Sequence, residues 1–153
     1  MANTQAFCSQ AKVDLMNGLH AMGPSVVRGA TTKDEYKAAL YEVVAGDKDA
    51  TTTIYNTTGE VSGTNYVAGG VVVTTATAPQ LDSTTAHFTP SASIVYTNVT
   101  LSTAFDAVLL YNNTSATKLA LSVHTFGSQT VTAGDFTLTM PTDDGTTGLI
   151  RIA

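Results

Sequence analysis

The chain has 153 residues, enough for one domain with a core of its own, and only 12% of them are charged. Its net charge is −5, and its seven Lys and Arg are scattered from Lys12 to Arg151. That excludes the clustered cations a nucleic-acid surface needs and matches an anionic membrane poorly. One cysteine, Cys8, excludes an internal disulfide and a multi-cysteine zinc site, and is read as a small buried apolar residue.

Threonine is the commonest residue, with 28 copies, most of them after residue 50. It is β-branched and suits a pleated surface better than a helix, so an all-β body faced with hydroxyls is expected. The N-terminus shows no basic region followed by an apolar core, so no secretory signal is expected, and no apolar run is long enough to span a membrane. The Asn-x-Ser/Thr triplets at Asn56, Asn98, Asn112 and Asn113 are of the kind a Thr-rich chain produces by chance.

The first element expected is an amphipathic helix over residues 4–22. Phe7, Ala11, Leu15 and Leu19 recur at four-residue spacing, and Gly18, Gly23 and Pro24 end the pattern. So short a helix needs a surface, either a sheet of its own chain or a neighbour. Residues 35–44 fit a helix, with Thr32 and Glu35 as a capping box, but Tyr36, Ala38 and Leu40 also alternate as in a strand. The local pattern leans to helix.

A polar, turn-rich stretch follows, with Ile54, Tyr55, Val61 and Tyr66 as isolated anchors. Strands are expected at "VVVTTAT", "TTAHFTP", "SIVYTNVTL", "AFDAVLLYN", "TKLALSVHTF", "GSQTVTAGDFTLTMP" and "DDGTTGLIRIA", with "NNTS" and "TAGD" as turns. Ile94, Tyr96 and Asn98 should share one face, and Val95, Thr97 and Val99 the other. Seven or eight closely spaced strands point to one domain, residues 1–153. Its fold would be an antiparallel β-sandwich or open barrel, jelly-roll or Ig-like, with the helix packed on it or bridging away.

Motifs for chemistry are missing. "EVSGTNYVAGG", residues 60–70, has no Lys and leads into β-branched "VVV", so it is neither a P-loop nor a dinucleotide fingerprint. Its glycines should supply bends where the chain enters the sheet. His20, His87 and His124 lie far apart in sequence without ligand partners at metal spacing. "DKDAT" from Asp47 lacks the Gly and Glu of a calcium loop and reads as a solvated turn, and Asp143 and Asp144 read as turn chemistry before Gly145. Asp106 in "AFDAVLLY" is expected to face outward at a strand start, with an inward carboxylate at a subunit contact as the alternative. No nucleophile elbow or acid pair is found, so no enzyme, cofactor or metal is expected.

"FCSQAKVDLMNGLH", "YKAALYEVVA", "TTTIYNTTGEVSGTNYVAGG" and "GDFTLTMPTDDGTTGLIRIA" occur in this order, and together they resemble a family of small virion proteins of tailed bacteriophages. The resemblance spans nearly the whole chain and is most specific in the middle block. It implies a strand at "ALY", although Glu42 stands where the family has a small polar residue. It also implies a non-enzymatic virion component, either a capsid-decorating (cement) protein or a neck- or tail-associated one. Such a protein would sit in the virion after assembly in the host cytoplasm. Its partners would be itself, as a homo-oligomer, and major capsid, neck or tail subunits. The contacts are expected at Phe7, Leu15 and Leu19 of the helix and at Leu149, Ile150 and Ile152 of the last strand. The alternative is a host-surface or glycan-binding module of a phage tail or fibre.

Overall fold

The structure, a computed structural model, describes residues 3–8, 11, 15, 19–20, 22, 33–45 and 47–152. It is mainly β, with two antiparallel sheets. In chain order the strands are β1 (Ala6–Phe7), β2 (Tyr36–Glu42), β3 (Val71–Val72), β4 (Gln80–Asp82), β5 (Thr85–Phe88), β6 (Ile94–Asn112), β7 (Ala120–Leu138) and β8 (Ile150–Ile152). The larger sheet runs β1-β7-β6-β2-β3 and the smaller β4-β5-β8.

The frame is the β6–β7 hairpin, 19 residues in each strand. Its turn is set by Asn112, whose Oδ1 accepts the amides of Thr114 and Ser115, as the "NNTS" pattern anticipates. The hairpin is not straight. Phe126 and Phe136 would lie roughly 33 Å apart along a straight strand, yet their ring centroids are 5.4 Å apart. Phe105 meets both rings edge-on, at 6.0 and 4.9 Å. The ribbon therefore doubles back, and its open end covers its own turn-proximal half. The Tyr96 hydroxyl, on the far half, donates to the Ala38 carbonyl of β2 at 2.9 Å. The core lies between the two halves, around Phe105, Leu101, Leu109, Leu121 and Val123.

Bulges make this bend possible, because an extra residue in one strand increases twist and curvature. The β6–β7 register shifts repeatedly between Tyr96 and Ala107. Asn98 (φ 49°) and Ala133 (φ 47°) take left-handed backbone. The Asn98 amide donates to Asp135 Oδ1 and the Ala133 amide to Thr100 Oγ1, so each bulge is capped by a side chain of the opposite strand. This corrects two expectations. "TAGD" is a bulge inside β7, not a turn, and Asn98 changes the phase of β6, so that Ile94 and Tyr96 and then Val99 and Leu101 are buried. Four expected strands are thereby two continuous ones.

Residues 36–42 form a strand, β2, paired with both β6 and β3. It runs buried from Ala38 to Tyr41 without alternation. A strand covered on both faces loses the period-two signal, which is why its local pattern resembled a helix.

The helix expected over residues 4–22 is not borne out at its start. Ala6 and Phe7 are extended and pair with Val123 and Ser122 of β7, and the Cys8 amide donates to the Leu121 carbonyl. The exposed edge of β7 offers these backbone groups partners that an isolated short helix must supply unaided. Ala11 and Leu15 have helical backbone, while residues 9–10, 12–14, 16–18 and 21 of the expected helix lie outside the described residues. Among the described residues, no helix is long and apolar enough to cross a membrane.

Candidate functional site

The short strand β1 and the short strand β8 bring two distant parts of the chain to one cleft. On one wall stand Ala6 and Phe7 with Ser122, Val123 and His124 of β7; on the other, Thr85 of β5 with Leu149, Ile150 and Arg151. The cleft has a volume of about 480 Å³. The loop before β8 is fixed by Asp144, whose Oδ1 accepts the amides of Thr146 and Thr147 and the Thr146 hydroxyl. These bonds hold the Asp144 carboxyl well below the usual carboxylate range. His87 Nδ1 lies 2.9 Å from Asp143 Oδ1, and the Leu149 amide donates to Thr89 Oγ1. The Arg151 guanidinium donates to the Thr146 carbonyl.

Ser122 Oγ and His124 Nε2 share a hydrogen bond of 2.9 Å. Burial pushes His124 down to about 4, so its ring is neutral at pH 7. A hydroxyl beside a neutral imidazole is part of a nucleophile–base pair. Here the hydroxyl is buried, Ser122 being 1% exposed, and among the described residues no carboxylate lines the cleft. The pair forms part of the polar lining of the cleft.

A second polar cluster lies under residues 55–70. The Glu60 carboxylate accepts the Tyr55 hydroxyl at 2.7 Å, the Tyr66 hydroxyl at 2.8 Å and the Gly69 amide at 2.6 Å. The Tyr66 hydroxyl in turn accepts the Leu40 amide of β2, and the Tyr111 hydroxyl donates to the Gly69 carbonyl. Tyr55 stacks on Tyr111 with centroids 4.5 Å apart. Lys48 Nζ sits 4.4 Å over the Tyr41 ring and donates to Asn56 Oδ1 and the Thr58 carbonyl. Burial lowers the Lys48 pKa and raises the tyrosines, Tyr111 to about 12.

The glycines of this block have a plain purpose. A Cβ on Gly70 would lie 1.6 Å from the Ala38 carbonyl oxygen, and one on Gly63 would lie 2.0 Å from that of Thr100. Only glycine lets the loop come this close to the sheet, and the expected bends are seen at Gly69 and Gly70, with φ of 93° and 71°. Tyr55 and Tyr66 stand out in the sequence as isolated anchors, but no local pattern marks Glu60 as the carboxylate that gathers them.

Of the expected contact residues, Phe7, Leu149 and Ile150 meet in the cleft. Ile152 is 47% exposed on the smaller sheet. Leu15 is half-buried, and Leu19 is exposed, with its carbonyl accepting Asn112 Nδ2. Neither Leu15 nor Leu19 lines the cleft.

Asp106 is neither at a strand start nor fully outward: it sits within β6, half-buried, and accepts Asn3 Nδ2 at 2.5 Å. "DKDAT" is a turn, with Asp49 Oδ1 accepting the Thr51 amide and hydroxyl, but its Lys48 is buried rather than solvated. Asp143 does more than turn the chain, because it engages His87. Among the described residues, no group of three or more His, Cys, Asp or Glu could hold a metal ion.

Comparison of the chain with protein-family models, with curated proteins and with solved structures finds no match.

Proposed function

We propose that this chain is a non-enzymatic structural component of a tailed-phage virion. It is a β-sandwich module that binds other virion subunits and copies of itself, as a capsid-decorating (cement) or neck- or tail-associated protein. The observation that carries this reading is the use made of the block that bears the resemblance. In "EVSGTNYVAGG" the Glu60 carboxylate, the Tyr66 hydroxyl and the closely packed glycines are all spent on fastening a loop to the sheet. The most distinctive part of the sequence builds stiffness, which suits a subunit that is held by its neighbours rather than one that turns over a substrate.

The cleft supports the same reading as a contact surface. It joins an edge of each sheet and combines apolar Phe7, Leu149 and Ile150 with a polar rim, the usual anatomy of a protein contact. The placement of the aromatic residues does not support the glycan-binding alternative. Sugar stacking needs exposed aromatic faces, and all eleven Phe and Tyr residues are buried or half-buried.

The test is sedimentation of the purified protein together with mass spectrometry of particles made by the genome that encodes it. The proposal expects a self-associating protein that is present in the particles. A monomer that is absent from them would overturn it.

A further inference from the structure

We propose that Lys48 and Asn56 join in a covalent amide, formed by the folded protein itself, which closes the chain into a ring across residues 48–56. This self-modification goes beyond the structural reading and does not rest on it.

The two partners are brought together before any chemistry. Lys48 Nζ lies 3.3 Å from Asn56 Oδ1, and Cγ, one bond further on, is the atom an amine attacks. That contact is close to the ~3–3.5 Å of a near-attack arrangement, and a small shift of either side chain completes it. Both backbones are pinned. The Lys48 amide donates to Asn3 Oδ1 and its carbonyl accepts the Thr4 amide, while the Asn56 carbonyl accepts the Tyr41 hydroxyl at 2.6 Å.

The surroundings suit the reaction. Lys48 is 5% exposed, with Nζ over the Tyr41 ring. Burial lowers its pKa, against the opposite pull of Asp47 and Glu60, and so raises the share of neutral amine, the nucleophilic form. Asn56 Oδ1 also accepts the Thr58 amide at 3.1 Å, so a backbone N–H is already aimed where negative charge develops during attack. Glu60 is the bridge partner of Tyr41, which puts its side chain on the face that carries the Tyr41 ring. Its Oε2 accepts the Tyr55 hydroxyl and keeps a second lone pair for a proton.

The step balances. The Nζ–Cγ bond forms and the Cγ–Nδ2 bond breaks. One proton passes from Nζ by way of Glu60 to Nδ2, which leaves as ammonia into the water around the exposed Asn56. Nothing is oxidised or reduced, and no co-reactant is consumed.

The experiment is mass spectrometry of the denatured full chain, purified and incubated at mildly alkaline pH. The wild type should weigh one ammonia less than its sequence mass. Fragmentation should place the loss on a branched peptide joining Lys48 to Asn56, with trypsin unable to cut after Lys48. Lys48→Arg and Asn56→Ala should each keep the full mass. A wild type at full mass overturns the proposal. So does an ammonia loss that maps elsewhere, or one that persists in Lys48→Arg, which marks a cyclic imide at an asparagine instead. The branched peptide of the wild type decides the matter even where a variant does not fold.

Discussion

Two loops of this protein are tied down by a carboxylate, residues 55–70 by Glu60 and residues 141–149 by Asp144, and the ties differ in kind. Glu60 gathers two tyrosine hydroxyls and a glycine amide beneath the loop, next to a stacked aromatic pair. Asp144 gathers threonine amides and a hydroxyl at the surface, within its own turn. The inner tie joins segments to the sheet, so breaking it strands polar groups away from water. The outer tie is local, and water replaces it when it is lost. The first loop is therefore part of the frame, and the second is a locally tied wall of the cleft.

The sharpest way to break this contrast is at the glycines. Gly70→Ala places a methyl on a backbone carbonyl at φ +71°, and a loss of about 4 kcal/mol or failure to fold is expected in urea unfolding. Gly145→Ala meets chiefly the side chain of Asp82 on β4, and its cost should stay below about 1.5 kcal/mol. Equal costs would erase the distinction between the two loops.

Next in size is Glu60→Ala, which removes the acceptor for three donors. Leaving buried donors without partners costs about 1–3 kcal/mol each when water cannot reach them. With Glu60 half-buried, a total near 3 kcal/mol is expected. Asp144→Ala should cost clearly less in the same experiment, and a reversed order would contradict the account.

The pH dependence separates the loops from opposite ends of the scale. A tyrosine whose folded pKa is raised stabilises the protein fully below its unfolded value of 10.0, and that stability is lost as pH rises through the folded value, about 12 for Tyr111. Tyrosinate absorbance should therefore appear together with loss of β-sheet signal, above roughly pH 10. Asp144 has a lowered pKa, so its contribution is present above the unfolded value of 3.8 and fades as pH falls below it.

His124 marks a third pH window, on the wall of the cleft. Its pKa is lowered from 6.5 to about 4, so its stabilising contribution is lost as pH falls across that interval. His124→Gln should flatten the stability profile there, measured by urea unfolding at a series of pH values.

Threonine bias and glycine placement are local signals, so the mainly β class and the bends at Gly69 and Gly70 were legible, but the close approach of Gly63 and Gly70 to the sheet was not. It did not disclose the bent hairpin. Asn98 and Ala133 interrupt alternation by one residue each, and a bulge looks like a turn when only one strand is read. The strand at Tyr36–Glu42 emerged only through resemblance, since burial on both faces erases its period. β1 is two residues long and owes its shape to an edge more than a hundred residues away, which no local pattern records. In the cleft, Phe7, Leu149 and Ile150 are among the contact residues the sequence suggests, while Ser122 and His124 look like ordinary strand residues until β1 and β8 close around them.

The central claim is that the chain is a stiff part gripped by its neighbours in a particle, and cross-linking mass spectrometry of intact particles addresses it most directly. The account predicts the chain in the particle, with cross-links to itself or to other virion subunits clustering beside Phe7 and residues 149–151. Particles that lack the chain, or cross-links confined to the opposite face of the molecule, would contradict it.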